Sequence, residues 1–454
     1  MTQNALGRDA ADSLARGLGR RRFIQLATAL GAAGATATVA GCGTNHDNGA
    51  SATPTGMRAP SSPLHPGAGD IPGDHYLPSR TDEVLWGYLP GTNAQPVLEM
   101  ASGETVTIDT VSHEGILEDQ GRDPVEFFGG HGVAEADILE DVVAIPRDYT
   151  RTERDFDTDG PHVVTGPVFV DGAEPGDVLK IETLSVVPRV PYGVVSNRHG
   201  RGALGLTGEN RAPDGISLDE VMPPVETDGR DSGNPMDYGN VSVFTRIEDG
   251  HGVMSDGDRE IRFPLNPFMG MVGVASVDST ALNDEDAHSV PPTITGGNLD
   301  VADLGAGSAL YVPVTADGAL FYAGDPHFAQ GHGEVALTAV EGSLRATFRL
   351  TVCKEGDGTA PGVAFRYPFG ETEEHWVPIG LSDERGRAEE VITGDLNRAM
   401  RRAVVNALDF LEQDQGVSRE VAYAYLSAAT DFVISQVVDQ TVGVHGLIRK
   451  ADFS

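Results

Sequence analysis

The chain has 454 residues, 39% of them hydrophobic and 6% aromatic, with 57 glycines, 28 prolines and two cysteines. A chain of that length buries a sizeable core without disulfide or metal staples. Its formal net charge of −36 excludes a general nucleic-acid binder, because phosphate contacts need clustered Lys and Arg and no such patch is legible. The acid is spread along the whole chain, as on a solvated surface, and suits a salty medium.

The N-terminus reads as an address. Arg20-Arg21-Arg22-Phe23-Ile24-Gln25 precede an Ala/Gly/Thr-rich apolar run that ends Val39-Ala40-Gly41-Cys42. Paired arginines, a mildly apolar stretch and small residues before a cut site form an export signal of the twin-arginine type over residues 1–42. Its end resembles a lipoprotein signal, which implies Cys42 as the cleavage and lipidation position and the expected link to a membrane; a plain cleaved signal or an uncleaved anchor is the alternative. The expected location is the outer face of the cytoplasmic membrane or the extracellular medium. Residues 43–80, rich in Gly, Pro, Ser, Thr and Asn, read as a flexible linker.

From residue 81 short β-type runs alternate with turn signals. Pro96–Met100 leads through Ala101–Glu104 into Val106–Val111, Gly166–Val170 through Gly172–Asp177 into Val178–Glu182, and Leu299–Val301 through Leu304–Ser308 into Ala309–Val314. Such β-connections with Gly/Pro pivots predict sandwich or barrel-like layers over residues 81–385. The spacing of Val391, Leu396, Met400, Val404, Leu408 and Leu411 predicts a helix over 389–412, and a second over 421–435 opens after the candidate cap Ser418. A closing β-type stretch completes a small C-terminal α/β element, residues 386–454, of the same domain. The fold class expected is mainly β with that C-terminal appendage.

The densest polar constellation is Gly324-Asp325-Pro326-His327-Phe328-Ala329-Gln330-Gly331-His332-Gly333-Glu334, read as a loop between the apolar runs 319–323 and 335–340. Asp325 and His327 share a face if that piece is extended. Imidazole with carboxylate suits a zinc-type divalent ion, and Glu334 is placed to hold or deprotonate a water. Gly296-Gly297-Asn298-Leu299-Asp300 allows close backbone approach to a ligand and offers an amide and a carboxylate, or is simply a Gly-Gly turn entering a strand. His162 enters the 166–170 strand within reach of a site, whereas His131, His199 and His332 read as loop histidines, and Trp86 and Trp376 as packing residues. Two cysteines build neither a disulfide framework nor a Cys-rich zinc site. Cys353, in the apolar run Leu350–Cys353, reads as a buried structural thiol. Lys180, Lys354 and Lys450 lack a Gly/Ser-rich setting and there is no Gly-x-Ser-x-Gly elbow, so covalent hydrolytic catalysis is disfavoured.

These segments, with Pro267–Gly270, Gly273–Ala275 and Ser418–Val438, resemble the acetamidase/formamidase family in consistent order over roughly residues 82–452. The resemblance implies hydrolysis of a small linear amide such as formamide or acetamide to carboxylate and ammonia, a mixed β-rich fold, and a homodimer or higher oligomer. Within that frame Asp300, Asp325, His327 and His162 hold a divalent metal, zinc with calcium as the alternative. Glu334, with Asp325 beside it, is catalytic and acts as general base on a metal-activated water. Asn298 and Gln330 hydrogen-bond the substrate. His332 departs from the family, which more often has Asp there, and residues 206–262 look particular to this chain. The alternative function is an exported, non-catalytic protein binding a small ligand on the same fold.

Overall fold

The structure, a computed structural model, describes residues 59–207, 211–224, 239–385 and 394–453. The expected export signal, Cys42 and the beginning of the expected linker lie outside these residues. The turn-separated runs of the sequence become twenty described strands. In chain order the first are β1 (His75–Leu77), β2 (Leu85–Trp86), β3 (Leu98–Ala101), β4 (Thr105–Asp109), β5 (Val163–Asp171), β6 (Val178–Pro188) and β7 (Tyr192–Arg198). There follow β8 (Asn240–Glu248), β9 (His251–Asp256), β10 (Arg259–Pro264), β11 (Phe268–Val274), β12 (Gly296–Asn298), β13 (Ala309–Pro313) and β14 (Phe321–Ala329). The last are β15 (Val340–Glu341), β16 (Leu344–Cys353), β17 (Phe369–Glu371), β18 (His375–Leu381), β19 (Asp431–Gln436) and β20 (Gly443–Arg449).

A nine-stranded sheet runs β1-β4-β16-β6-β13-β17-β18-β20-β19. An eleven-stranded sheet runs β10-β9-β8-β7-β15-β14-β11-β12, with β5 also on β14 and β2 and β3 on β5. The fold is therefore mainly β, as the sequence predicts. The strand–turn–strand patterns are present, yet none is a hairpin. β3 pairs with β5 while β4 pairs with β16, and β5–β6 and β12–β13 likewise pass from the larger sheet to the smaller. Crossing at each glycine pivot lets consecutive apolar strands close one core from both sides. Phe321 of β14 and Phe348 of β16 meet edge-to-face across it, centroids 5.4 Å apart.

Three local readings differ from the sequence. Residues 59–80, expected as linker, lie along the body: β1 pairs in parallel with β4, and the Leu64 amide donates to the Arg189 carbonyl. Tyr76 and Leu77 do this anchoring, and a composition average over Gly and Pro dilutes them. Two helices also interrupt the β text, α1 (Pro124–Gly130) and α2 (Glu140–Asp148). Asp123 caps the first by accepting from the Val125 and Glu126 amides, with Pro124 at its opening position, which is a start signal legible in the sequence. At the C-terminus α3 (Leu396–Gln413) carries the expected apolar face behind an Asp395 cap, although residues 389–393 of the expected helix lie outside the described residues. Finally α4 is shorter than expected, Arg419–Ala429. The run Phe432-Val433-Ile434 favours an extended pleat and enters β19, where it pairs with β20.

α3 lies so close to β18 that a Cβ on Gly380 would stand 2.2 Å from the Ala403 backbone nitrogen. The nine-stranded sheet is pinned at its other end by buried ions. Arg345 of β16 donates to both carboxylate oxygens of Asp109 on β4, at 2.6 and 2.9 Å. Arg189, fully buried, reaches the same carboxylate at 3.5 Å and Asp141 of α2 at 2.7 Å. Asp109→Ala removes the shared counter-charge of two buried guanidiniums and is expected to cost about 3–5 kcal/mol. Urea unfolding measures it, and a cost below about 1 kcal/mol would show that the remaining partners suffice.

Candidate metal and catalytic centre

The sequence puts Asp325 and His327 in a loop, but the structure carries the strand through them. All nine residues of β14 are buried. Both side chains come to one side of the strand, and His327 Nε2 lies 3.1 Å from Asp325 Oδ2. The expected strand over 335–340 is turn as far as β15, which begins at Val340 and brings Glu341 Oε1 to 3.1 Å from the same ring nitrogen. Asp300, just beyond β12, approaches the other side of the ring, its Oδ1 3.7 Å from His327 Nδ1. Glu334 Oε1 stands 3.9 Å from Nε2. On the outer side of Asp325, His113 Nδ1 and His162 Nε2 lie 3.5 and 3.7 Å from Oδ1.

This packing leaves no room for ordinary backbone or side chains. A Cβ on Gly270 of β11 would stand 2.4 Å from Asp300 Oδ1 and 2.7 Å from His327 Cε1. Asp300, Asp325 and Glu334 all sit in the left-handed region, with φ of 50°, 49° and 46°, a conformation that non-glycine residues hold only where the surroundings impose it. Backbone bonds impose it on Glu334: the Gly333 amide donates to the Ser435 carbonyl, and the Val437 amide to the Gly333 carbonyl. Gln330, expected at the substrate, faces inward instead. Its Nε2 donates to the carbonyls of Asp300 (2.9 Å) and Ser435 (3.2 Å), and its Oε1 lies 3.0 Å from His327 Nδ1. With the amide nitrogen spent on carbonyls, Oε1 accepts from Nδ1–H and fixes the ring so that Nε2 faces the carboxylates. Asn298 does reach the cavity, its Oδ1 buried and unpartnered.

The cavity outside this cluster has a volume of about 200 Å³, and His113, His162, Asn298, Asp325, Glu334 and Glu341 line its inner wall. The charges interlock. Burial opposes ionisation of Asp325, but His327, with the hydrogen bond from His113, outweighs it and holds the carboxyl well below its usual range. Burial opposes the charged form of His327 as well, yet Glu341 and Asp325 hold it well above. In Glu334 burial and the Asp300 carboxylate act together and push it well up, and burial with Asp439 and Asp325 does the same to Asp300. Burial, helped by His113, His288 and His327 and opposed by Asp325, brings His162 down to about 3, so its ring is neutral. His113 is lifted to about 10 because Asp325, Glu114 and Glu341 override its burial.

A cation fits this arrangement. Both Asp300 oxygens, Asp325 Oδ1, His327 Nε2, Glu341 Oε2 and His113 Nδ1 are buried without a hydrogen-bond partner, a costly state for polar atoms. Three triplets have ligand atoms within 4.8 Å of one another: His113–His162–Asp325, Asp300–His327–Glu334 and Asp325–His327–Glu341. Ligands held tetrahedrally about 2.0–2.1 Å from zinc are about 3.4 Å apart, and the 3.1 to 3.7 Å contacts that His327 Nε2, His113 and His162 make with Asp325 and Glu341 match that spacing.

Sequence reasoning thus named Asp300, Asp325, His327, Glu334, His162 and Asn298, which the structure brings together, and missed His113, Glu114, Glu341 and Asp439. The available signal was a charge stranded in apolar text, His113-Glu114 after the 106–111 strand and Glu341 after Ala339-Val340. His131 stacks on Phe244, centroids 4.8 Å apart, and His199 Nδ1 contacts the Pro223 carbonyl, both away from the cluster. Cys353 is buried.

Comparison with known proteins gives a consistent picture. The model of the Acetamidase/Formamidase family matches residues 259–446. The chain is 28% identical to the acetamidase of Mycolicibacterium smegmatis over 314 residues, 61% of this chain and 75% of that protein. It is also 28% identical to the formamidase of Methylophilus methylotrophus over 317 residues, 63% and 75% of the two. In fold it is similar to the crystal structure of acetamidase from Yersinia enterocolitica, with a TM-score of 0.60 and 24% identity, over 86% of this chain and 95% of that one.

Gly270→Ala is expected to drive Asp300 and His327 apart, costing about 1–3 kcal/mol of stability as overpacking does. Thermal unfolding reads that cost. A variant as stable as the parent would show that the wall around Asp300 yields.

Proposed function

We propose, from the match of residues 259–446 to the acetamidase/formamidase family and the likeness to an acetamidase and a formamidase, that the chain hydrolyses small linear amides of the formamide and acetamide class to carboxylate and ammonia with a divalent cation. One observation carries the reading: buried, unpartnered atoms of Asp325, Glu341 and His113 stand on the wall of a cavity of about 200 Å³. That volume takes a short amide together with a few waters.

Asp325 and His327 would hold the ion, with Glu341 and Asp300 on the two sides of the His327 ring and the neutral His162 imidazole completing the outer side. Bound there, a zinc-class ion supplies Lewis-acid polarisation of the amide and makes water more acidic. Gln330 keeps the His327 ring in the tautomer that presents Nε2. Asn298 Oδ1, bare at the cavity wall, accepts an N–H of the substrate amide and orients it. Glu334 has the geometry of a general base, with its carboxylate on the wall beside the cluster and its pKa raised by burial and the Asp300 carboxylate. It takes the proton from the water that attacks the carbonyl carbon and returns it to the leaving nitrogen as the C–N bond breaks. Water and amide are thereby converted to carboxylic acid and ammonia with no group left on the protein. The Arg20–Arg22 run and Cys42 support delivery of the folded protein to the outer face of the membrane.

Glu334→Gln keeps the shape of the side chain and removes the base, so ammonia release from a panel of short amides is expected to fall about 10²–10⁴-fold while metal content is retained. His327→Ala is expected to lose both. Full turnover in the two variants would overturn the scheme, and bound metal with no amide hydrolysed by the parent would overturn the substrate class.

A further inference from the structure

A second convergence of ligand atoms lies on the far side of Ser435 from the buried cluster and shares no residue with it. His445, on β20, is fully buried, and its Nδ1 lies 2.8 Å from Ser435 Oγ. That contact fixes the ring so that Nε2 points at Asp303, 2.9 Å from Oδ2. His332 comes from the loop that carries Glu334, and its Nε2 lies 3.7 Å from the same carboxylate oxygen. The two rings are 5.5 Å apart, centroid to centroid, and the three ligand atoms all lie within 4.8 Å of one another.

We propose that Asp303, His332 and His445 form a second site for a zinc-class divalent cation, independent of the buried cluster and of the reaction assigned to it. Two imidazoles and one carboxylate are a borderline-soft donor set that favours zinc over magnesium or calcium. The contacts of 2.9 and 3.7 Å bracket the edge of about 3.4 Å expected between ligands around zinc. The Ser435 hydroxyl supplies the outer contact that ligating imidazoles ordinarily have on their second nitrogen. The His332 side chain is 42% exposed and that of Asp303 29%, so an ion enters from solvent and retains an open position there. An ion bound here ties the His332–Glu334 loop to the C-terminal strand.

The full-length chain, stripped with chelator and titrated with zinc by calorimetry, tests this. The parent is expected to take up one more ion than His332→Ala or Asp303→Asn, or to bind that ion at least tenfold more tightly. The difference is read whether or not the buried cluster fills. His332 is exposed, so its alanine variant should fold; cobalt uptake, followed by its visible absorption, gives a second reading on the same variants. Equal zinc stoichiometry and affinity in the parent and both variants would overturn the proposal.

Discussion

The structure turns on a concentration of negative charge in a dry place. Asp300, Asp325, Glu334, Glu341 and Asp439 are gathered within the core of a β-fold, and the imidazoles among them are too few to neutralise them all. Carboxylates buried together cannot all be ionised without a counter-charge. The protein meets this in two ways: burial and neighbouring carboxylates push Asp300 and Glu334 up, and the carboxylates around them push His327 and His113 up against the pull of burial. Either state is a poor substitute for a cation, and that is why the cluster reads as a binding site and not as a structural ion pair.

The fold supplies what the charges alone could not. Asp325 and His327 are held by a strand hydrogen-bonded on both sides, between β11 and β5 with β15 at its end. Glycine at position 270 opens the space behind them, and Asp300 enters it from the β12 end. Even Gln330 serves position: one amide group joins the His327 ring, the Asp300 backbone and the Ser435 backbone.

The β class, the layer architecture and much of the cluster were legible from residue text because they rest on local rules. Alternation gives strands, Gly/Pro pivots give crossings, and a Gly-rich stretch holding Asp325, His327 and Glu334 advertises chemistry. What was not legible depends on contacts between distant segments. Glycines and a proline around Asp325 suggest a loop, but tertiary pairing extends the strand through them. Glu341 and His113 are single polar residues in apolar runs, ambiguous until strand order places them beside His327. Gln330 has the composition of a substrate contact, and only its partners show that it serves the ring. The stretch before residue 81 has the composition of a linker, and Tyr76 and Leu77 nevertheless carry it onto the sheet.

The loop that carries Glu334 is stitched to Ser435 and Val437 by backbone hydrogen bonds, and Asp439 and Gln440 line the same cavity. Glu334 is therefore set by a segment far along the chain from β14, and the pocket exists only where the two meet: β14 supplies the ligands, while residues 435–440 supply the backbone bonds that fix the Glu334 loop and part of the wall.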